Sequence, residues 1–222
     1  ITEKREIDIY LEELISPFIK SKKYNILDAC CGLGYISYFL SRLSPESKFL
    51  GVDQTPYLIE EGKKLCKDIP NISFEIGDMY DVSSKYTKAF DISINWRTLS
   101  WLPYYDHMLK NLINVTKDHI FLSSLFYDGD VDFITQVREF RTETGKNHFT
   151  DYCNVYSLPH FKEMVYELGG KNIEVYDFDI NIDLPKPSID KMVSYTEKLE
   201  TGKRLQISGA VLLFWKIIRI DL

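Results

Sequence analysis

Asn25-Ile-Leu-Asp-Ala-Cys-Cys-Gly-Leu-Gly-Tyr-Ile-Ser-Tyr-Phe-Leu40 decides how the rest of the chain is read. A short apolar run ends at Asp28, a tight turn is built on Gly32 and Gly34, and a helix is predicted from Tyr35 to Leu43. A strand that feeds a glycine turn and then a helix brings bare backbone N–H groups and a positive helix end against a ligand. Two glycines recur in ordinary turns, so their context has to carry the argument. Lys48-Phe-Leu-Gly-Val-Asp53 provides it, as a second strand ending on an acid. An acid about twenty residues after the glycines can accept hydrogen bonds from both hydroxyls of a ribose. A nucleoside-like ligand is expected.

Small differences decide which nucleoside. A dinucleotide-binding loop carries a third glycine or alanine where its helix packs under a pyrophosphate, and that place is Ser37 here. Asp28, just ahead of the first glycine, repels a pyrophosphate and suits a ligand with a cationic amine or sulfonium. It either reaches the bound amino group, directly or through water, or caps the following turn. At this point Asp28-Ala-Cys-Cys-Gly-Leu-Gly34 resembles the first motif of the class I S-adenosylmethionine-dependent methyltransferases: acid, any, small, small, Gly, any, Gly.

The resemblance implies S-adenosylmethionine as cofactor and gives roles to later residues. Gly32 and Gly34, with Cys30, lie beside its methionine part; Asp53, followed by Gln54, takes the ribose. Gly77-Asp78-Met79 brings Asp78 to the adenine amine and Met79 onto its ring. Asn95 offers its backbone carbonyl, and Trp96 is a lid over the cofactor or a core residue.

Length and composition set the frame. The 222 residues form one domain, large enough to bury a core without staples. Cys30, Cys31, Cys66 and Cys153 have neither zinc-ligand nor disulfide-framework spacing, so reduced thiols and no metal site are expected. Net charge is −6 and the Lys and Arg residues are scattered, which argues against nucleic acid as partner. The longest apolar stretch, Ile207 to Ile220, is too short for a membrane span and contains Lys216 and Arg219; Ile1 to Ile9 lack a signal-peptide core. A cytoplasmic protein, monomer or homodimer, is the expectation.

In order, apolar periodicity predicts an amphipathic helix over Glu3 to Lys23, with acids early and lysines late. Thr55-Pro56 caps a helix to about Lys67; Ile72 to Ile76, Ala89 to Asn95 and His119 to Leu125 read as strands, and Pro103 to Val115 as a helix. Beyond these, Val131 to Phe140 reads as helical and Arg141 to Asn154 as a polar excursion over the site. Ser157-Leu-Pro159 caps a helix to Leu168, Ile173 to Ile180 is a sixth strand, Ser188 to Glu200 a helix, and Leu205 to Ile220 supplies a seventh strand. Strands alternating with helices give an α/β fold: a Rossmann-like, mostly parallel sheet of seven strands with helices on both faces. The resemblance implies that its last strand is reversed. Residues 127–155 and 184–204 are the expected acceptor-side excursions of the single domain 1–222. Ligands belong beyond the carboxyl ends of the strands, where Asp28, Asp53, Asp78 and Asn95 fall.

Methyl transfer from a sulfonium needs nucleophile, carbon and sulfur in line, and proximity provides most of the rate. A neutral amine acceptor needs no base; a hydroxyl needs one in reach of its proton. For the base, His148 is the candidate, in an irregular polar loop. For the acceptor, Arg97, Tyr127, Tyr152 and Asn154 are the candidates, Arg97 as a contact for a phosphate or carboxylate. The stretches Ser157-Leu-Pro159, Asp183-Leu-Pro-Lys-Pro187 and Leu205-Gln-Ile-Ser-Gly209 resemble small methyltransferases associated with bacterial surface-polysaccharide modification. That resemblance implies a sugar, or a phosphorylated or nucleotide-linked precursor, as acceptor. The reading is a small-molecule methyltransferase, with oxygen ahead of nitrogen as the methylated atom. A nicotinamide-dependent oxidoreductase and an inactive cofactor-binding partner subunit stay open as other classes.

Overall fold

The computed structural model describes residues 3–140, 148–188 and 193–222. The chain opens with α1 (Glu6–Ile19), whose Ile7, Leu11, Ile15 and Ile19 form a buried stripe. Then come β1 (Asn25–Ala29), α2 (Tyr35–Leu43), β2 (Lys48–Asp53), α3 (Pro56–Leu65), β3 (Ile72–Ile76), the one-turn α4 (Val82–Lys85), β4 (Phe90–Trp96), α5 (Asp106–Val115) and β5 (Thr116–Tyr127). The second half contributes β6 (Gln136–Phe140), β7 (His148–Tyr152), β8 (Tyr156–Ser157), α6 (Leu158–Glu167), β9 (Asn172–Asp177), β10 (Ser194–Lys198), β11 (Arg204–Ser208), β12 (Val211–Leu212) and β13 (Trp215–Asp221).

The main sheet runs β3-β2-β1-β4-β5-β13-β9, with the two-residue β8 beside the end of β5. The first five strands are parallel, and β13 is antiparallel to both β5 and β9. Strands at the centre of such a sheet are apolar on both faces. In β1, Ile26 enters a core with α1 and α2 while Leu27 enters one with α5 and α6. The five parallel strands therefore end at one edge, and each hands its next residues to the site.

Three expectations from the sequence do not hold. Val131 to Phe140 is not a helix: Phe133 bridges Val155, and Gln136–Phe140 pairs with His148–Tyr152 as a hairpin. Apolar residues three apart at Val131, Ile134 and Val137 imitate a helical period, but pairing with a β-prone partner segment wins. Ser188 to Glu200 contains β10, and Leu205 to Ile220 holds three strands rather than one. β10, β11 and β12 make a small antiparallel sheet, with Gly209 at positive φ in the last turn. Thus a small sheet, not a helix, separates β9 from β13. Residues 189–192 of the expected helix lie outside the described residues.

The expected lysines of the first helix fall after its last turn, which holds no base. No helix among the described residues is long and apolar enough to cross a membrane.

Candidate cofactor and acceptor site

The turn after β1 is built from left-handed backbone: Cys30 has φ 58°, Gly32 55° and Gly34 73°. Cys31 N–H donates to Val52 O at 3.0 Å, and Gly34 N–H to Cys31 O at 2.9 Å, which folds the turn back against β2. The two glycines serve different ends. A Cβ at Gly34 would overlap the Phe74 ring, so this glycine lets α2 lie close to β3. A Cβ at Gly32 would meet nothing within 4 Å; the space over its backbone is open to a ligand.

Asp53 is 8% exposed and locks the turn to β2. Its Oδ2 accepts from Gly32 N–H at 2.9 Å and its Oδ1 from Thr55 N–H at 2.9 Å. A carboxylate offers about four lone-pair sites, so the group is oriented by the backbone with capacity left for ribose hydroxyls. Thr55 itself makes no side-chain cap to α3.

Asp28 turns inward. Its Oδ2 accepts from Ser37 Oγ at 2.7 Å and Ser37 N–H at 3.2 Å, inside the first turn of α2. Of its two readings, capping is the one visible in the side chain's bonds. Ser37 stands where a dinucleotide loop has its third small residue, and its hydroxyl is Asp28's partner. Burial pushes the Asp28 carboxyl up to about 6, against the Ser37 hydrogen bonds and with a further push from the Asp53 charge. Burial also raises the Cys30 thiol, and the charges acting on it are those of Asp53, Asp28 and Asp78. Burial, with the charges of Asp28 and Asp53, raises Cys31 as well, so neither thiol is set up as a nucleophile.

The remaining cofactor candidates divide. Asp78 is exposed, and its Oδ1 accepts from Tyr80 N–H at 2.8 Å, an Asx turn that leaves its second oxygen at the surface. Gln54 is exposed beside Asp53. Met79 is buried with Val82 and Leu99 in the α5–α6 core. Asn95 is fully buried; its Nδ2 donates to Ala29 O at 3.0 Å, and its Oδ1 has no hydrogen-bond partner among the described residues. Its side chain thus ties β4 to the root of the glycine turn. Trp96 is a core residue rather than a loose lid: Nε1 donates to Asp8 Oδ1 of α1 at 2.8 Å. Burial raises the Asp8 carboxyl, partly offset by that bond.

The acceptor candidates are not gathered into one group. Arg97 follows β4 in the left-handed region (φ 59°), its N–H shared between Ser123 O and Oγ, its guanidinium 5.0 Å from the centre of the Trp215 ring. It lines a cavity of about 640 Å³ between the N-terminal arm and the small sheet. Tyr127 borders a neighbouring cleft of about 340 Å³ with Asp128, Lys216 and Arg204, and the two spaces share Phe178, Ile180, Gln206 and Trp215 as walls. Tyr152 is half-buried in the β6–β7 hairpin. Asn154 is committed elsewhere: fully buried, it accepts from Thr135 N–H and donates to Leu102 O and Tyr156 Oη, so it splices three segments and is not an acceptor contact. His148 lies in a strand, opposite Phe140, rather than in an irregular loop; its side chain is outside the described residues.

Phe74, Ser37, Asp8 and Trp215 were not singled out as site residues by the sequence. Lys216 entered only as a charge interrupting an apolar run, yet it is 8% exposed and bridges Asp128 and Asp177 at 3.1 and 2.5 Å. A lysine inside a strand-like apolar run was the available signal.

Known proteins match this architecture. A family model described as a methyltransferase domain matches residues 20–174. Malonyl-[acyl-carrier protein] O-methyltransferase 1 of Ilyobacter polytropus is 32% identical over 114 residues, covering 51% of this chain and 38% of that protein. The malonyl-[acyl-carrier protein] O-methyltransferase of Bacillus cereus is 26% identical over 125 residues, 56% of this chain and 45% of that one. The chain thus spans less than half the length of these curated relatives. Among solved structures, the YcgJ protein of Bacillus subtilis superposes with a TM-score of 0.61 at 14% identity, covering 95% of this chain and 98% of the other, which shows a shared fold. The chain belongs to the methyltransferase domain family, within the class I S-adenosylmethionine-dependent methyltransferases.

Proposed function

We propose that the protein methylates an oxygen of a small-molecule acceptor with S-adenosylmethionine. The observation that carries this reading is the acidic cradle around an open turn. Gly32 leaves space over its backbone, and the carboxylates of Asp28, Asp53 and Asp78 act together on the neighbouring Cys30 thiol. Such surroundings favour a cationic amino-acid nucleoside over a pyrophosphate. The residues present fit the cofactor. The Oδ1 of Asn95, buried without a partner, is a further acceptor at the root of the turn.

S-adenosylmethionine, when bound, supplies a methyl group on a sulfonium sulfur to a lone pair of the acceptor. Asp53 holds the ribose, its orientation fixed by Gly32 N–H and Thr55 N–H. Asp78 offers its second oxygen to the adenine amine, and Gln54 borders the same edge. Gly34 and Ser37 set how closely α2 approaches the turn. His148 is the proposed base that takes the acceptor's proton; proximity does the rest.

The two curated relatives are O-methyltransferases by name, which supports oxygen over nitrogen. A surface-polysaccharide precursor has less support, because Ile180, Ile182, Leu184 and Val193 on the cavity wall suit an apolar body better than a bare sugar. The test is release of S-adenosylhomocysteine from S-adenosylmethionine across alcohols, hydroxy acids, carboxylic acids and amines. Release with an oxygen acceptor, lost in His148→Ala with binding intact, supports the reading. Binding without release from any acceptor points to an inactive partner subunit instead.

A further inference from the structure

The Arg97 guanidinium is set up for an anion that the chain itself does not provide. Its Nε is buried and has no hydrogen-bond partner among the described residues. A buried donor left unpaired is costly, more so when charged, and a left-handed backbone at a residue other than glycine adds strain. Such costs persist where function needs the geometry. Here the backbone is held by the double acceptor of Ser123, and the guanidinium plane is held against Trp215. Glu3, Lys4, Arg5 and Glu6 line the same cavity, and two of these charges have partners of their own. Glu6 Oε2 accepts from Asn181 N–H at 2.9 Å, and Lys4 is paired with Glu12. Phe178, Ile180, Ile182, Leu184 and Val193 give the wall an apolar stretch, beside the polar Ser194 and Gln206.

We infer that this cavity takes an acceptor with an apolar body and a single oxyanion, with the Arg97 fork as the group that recognises the oxyanion. A planar guanidinium engages a carboxylate or a phosphate through two parallel hydrogen bonds. Trp215 and the aliphatic wall take the body, and the volume of about 640 Å³ suits a molecule of moderate size. Arg97 immediately follows Trp96, at the carboxyl end of the strand that carries Asn95. This deepens the methyltransferase reading and rests on it for the identity of the bound molecule as acceptor.

Calorimetric titration of the full chain with octanoate, octyl phosphate and the neutral octanamide, each with and without S-adenosylhomocysteine, tests the inference. At least one of the two anions is expected to bind ten-fold or more tighter than octanamide, and the tighter of the two names the oxyanion. Arg97→Asn, a residue that tolerates the left-handed backbone, is expected to erase that preference while its S-adenosylhomocysteine affinity stays within two-fold. Equal binding of all three probes, or a preference that survives in Arg97→Asn, overturns it. A chain that prefers the anion but does not bind S-adenosylhomocysteine keeps the anion site and loses the methyltransferase reading. The reverse result loses the anion site alone.

Discussion

The cofactor half and the acceptor half of this molecule are assembled in opposite ways. Around the glycine turn, the decisive hydrogen bonds join residues close in sequence: Asp28 to Ser37, nine apart, and Gly32 to Asp53, twenty-one apart. The acceptor cavity instead draws on residues 3–7, Arg97, Phe178 to Leu184, Gln206 and Trp215, brought together only when β13 inserts between β5 and β9. One half is a local motif on a rigid parallel sheet; the other is a product of the completed fold. Changes in the first half should therefore reach the cofactor directly, while those in the second should separate acceptor recognition from stability.

The largest effect is expected at Gly34. Gly34→Ala drives a methyl group into the Phe74 ring and strains a backbone at φ 73°, which should cost about 3 kcal/mol in urea unfolding. Gly32→Ala faces open space and pays strain alone, about 1–2 kcal/mol, yet should abolish S-adenosylhomocysteine binding. Equal losses of stability at the two positions would break the division between a packing glycine and a ligand glycine.

Asp28 sharpens the same contrast through pH. Its ordinary value is 3.8 and burial lifts it to about 6 in the folded protein. The folded state thus holds the proton more tightly than the unfolded chain, so this group favours the folded state below pH 3.8. That advantage is lost as pH rises to about 6, by about 3 kcal/mol in all. Asp28→Asn keeps an acceptor for Ser37 and should remove this fall, leaving the variant relatively more stable at pH 8 than at pH 4 when each is compared with the parent. Parallel profiles for the two proteins would mean that the carboxylate is not desolvated.

Trp96→Phe should cost about 1–2 kcal/mol, by leaving the buried Asp8 carboxyl without its indole donor. A loss confined to S-adenosylhomocysteine affinity, with stability unchanged, would return Trp96 to the cofactor. The smallest change is expected at Lys216, whose partners Asp128 and Asp177 have side chains about three-quarters exposed. Lys216→Met should shift stability by under about 1 kcal/mol and leave cofactor binding alone.

The same contrast explains what the sequence made readable. The five parallel strands, the glycine turn and the acids at their ends follow from short-range spacing, and Asp28-Ala-Cys-Cys-Gly-Leu-Gly34 carries that spacing intact. The partner of Asp28 was hidden because Ser37 reads as a missing glycine until its hydroxyl is seen on the carboxylate. The pairing of β6 with β7 and the small sheet of β10 to β12 escape a local reading because pairing partners, not local periodicity, decide them. Asn154 looked like an acceptor contact in a polar segment, but its three hydrogen bonds reach Thr135, Leu102 and Tyr156, connections no local pattern reveals. Arg97 was visible as a charge after a strand; its seat on Trp215 spans more than a hundred residues and was not.

The central claim is that the turn at Gly32, held by Asp53, is built for S-adenosylmethionine. Its most direct test is thermal melting of the parent and of Asp53→Ala with S-adenosylhomocysteine, and with NAD as control, since a ligand that binds only the folded state raises the melting temperature by mass action. The account predicts a rise with S-adenosylhomocysteine in the parent, none in Asp53→Ala, and none with NAD in either. A rise with NAD, or none with S-adenosylhomocysteine in the parent, would contradict it.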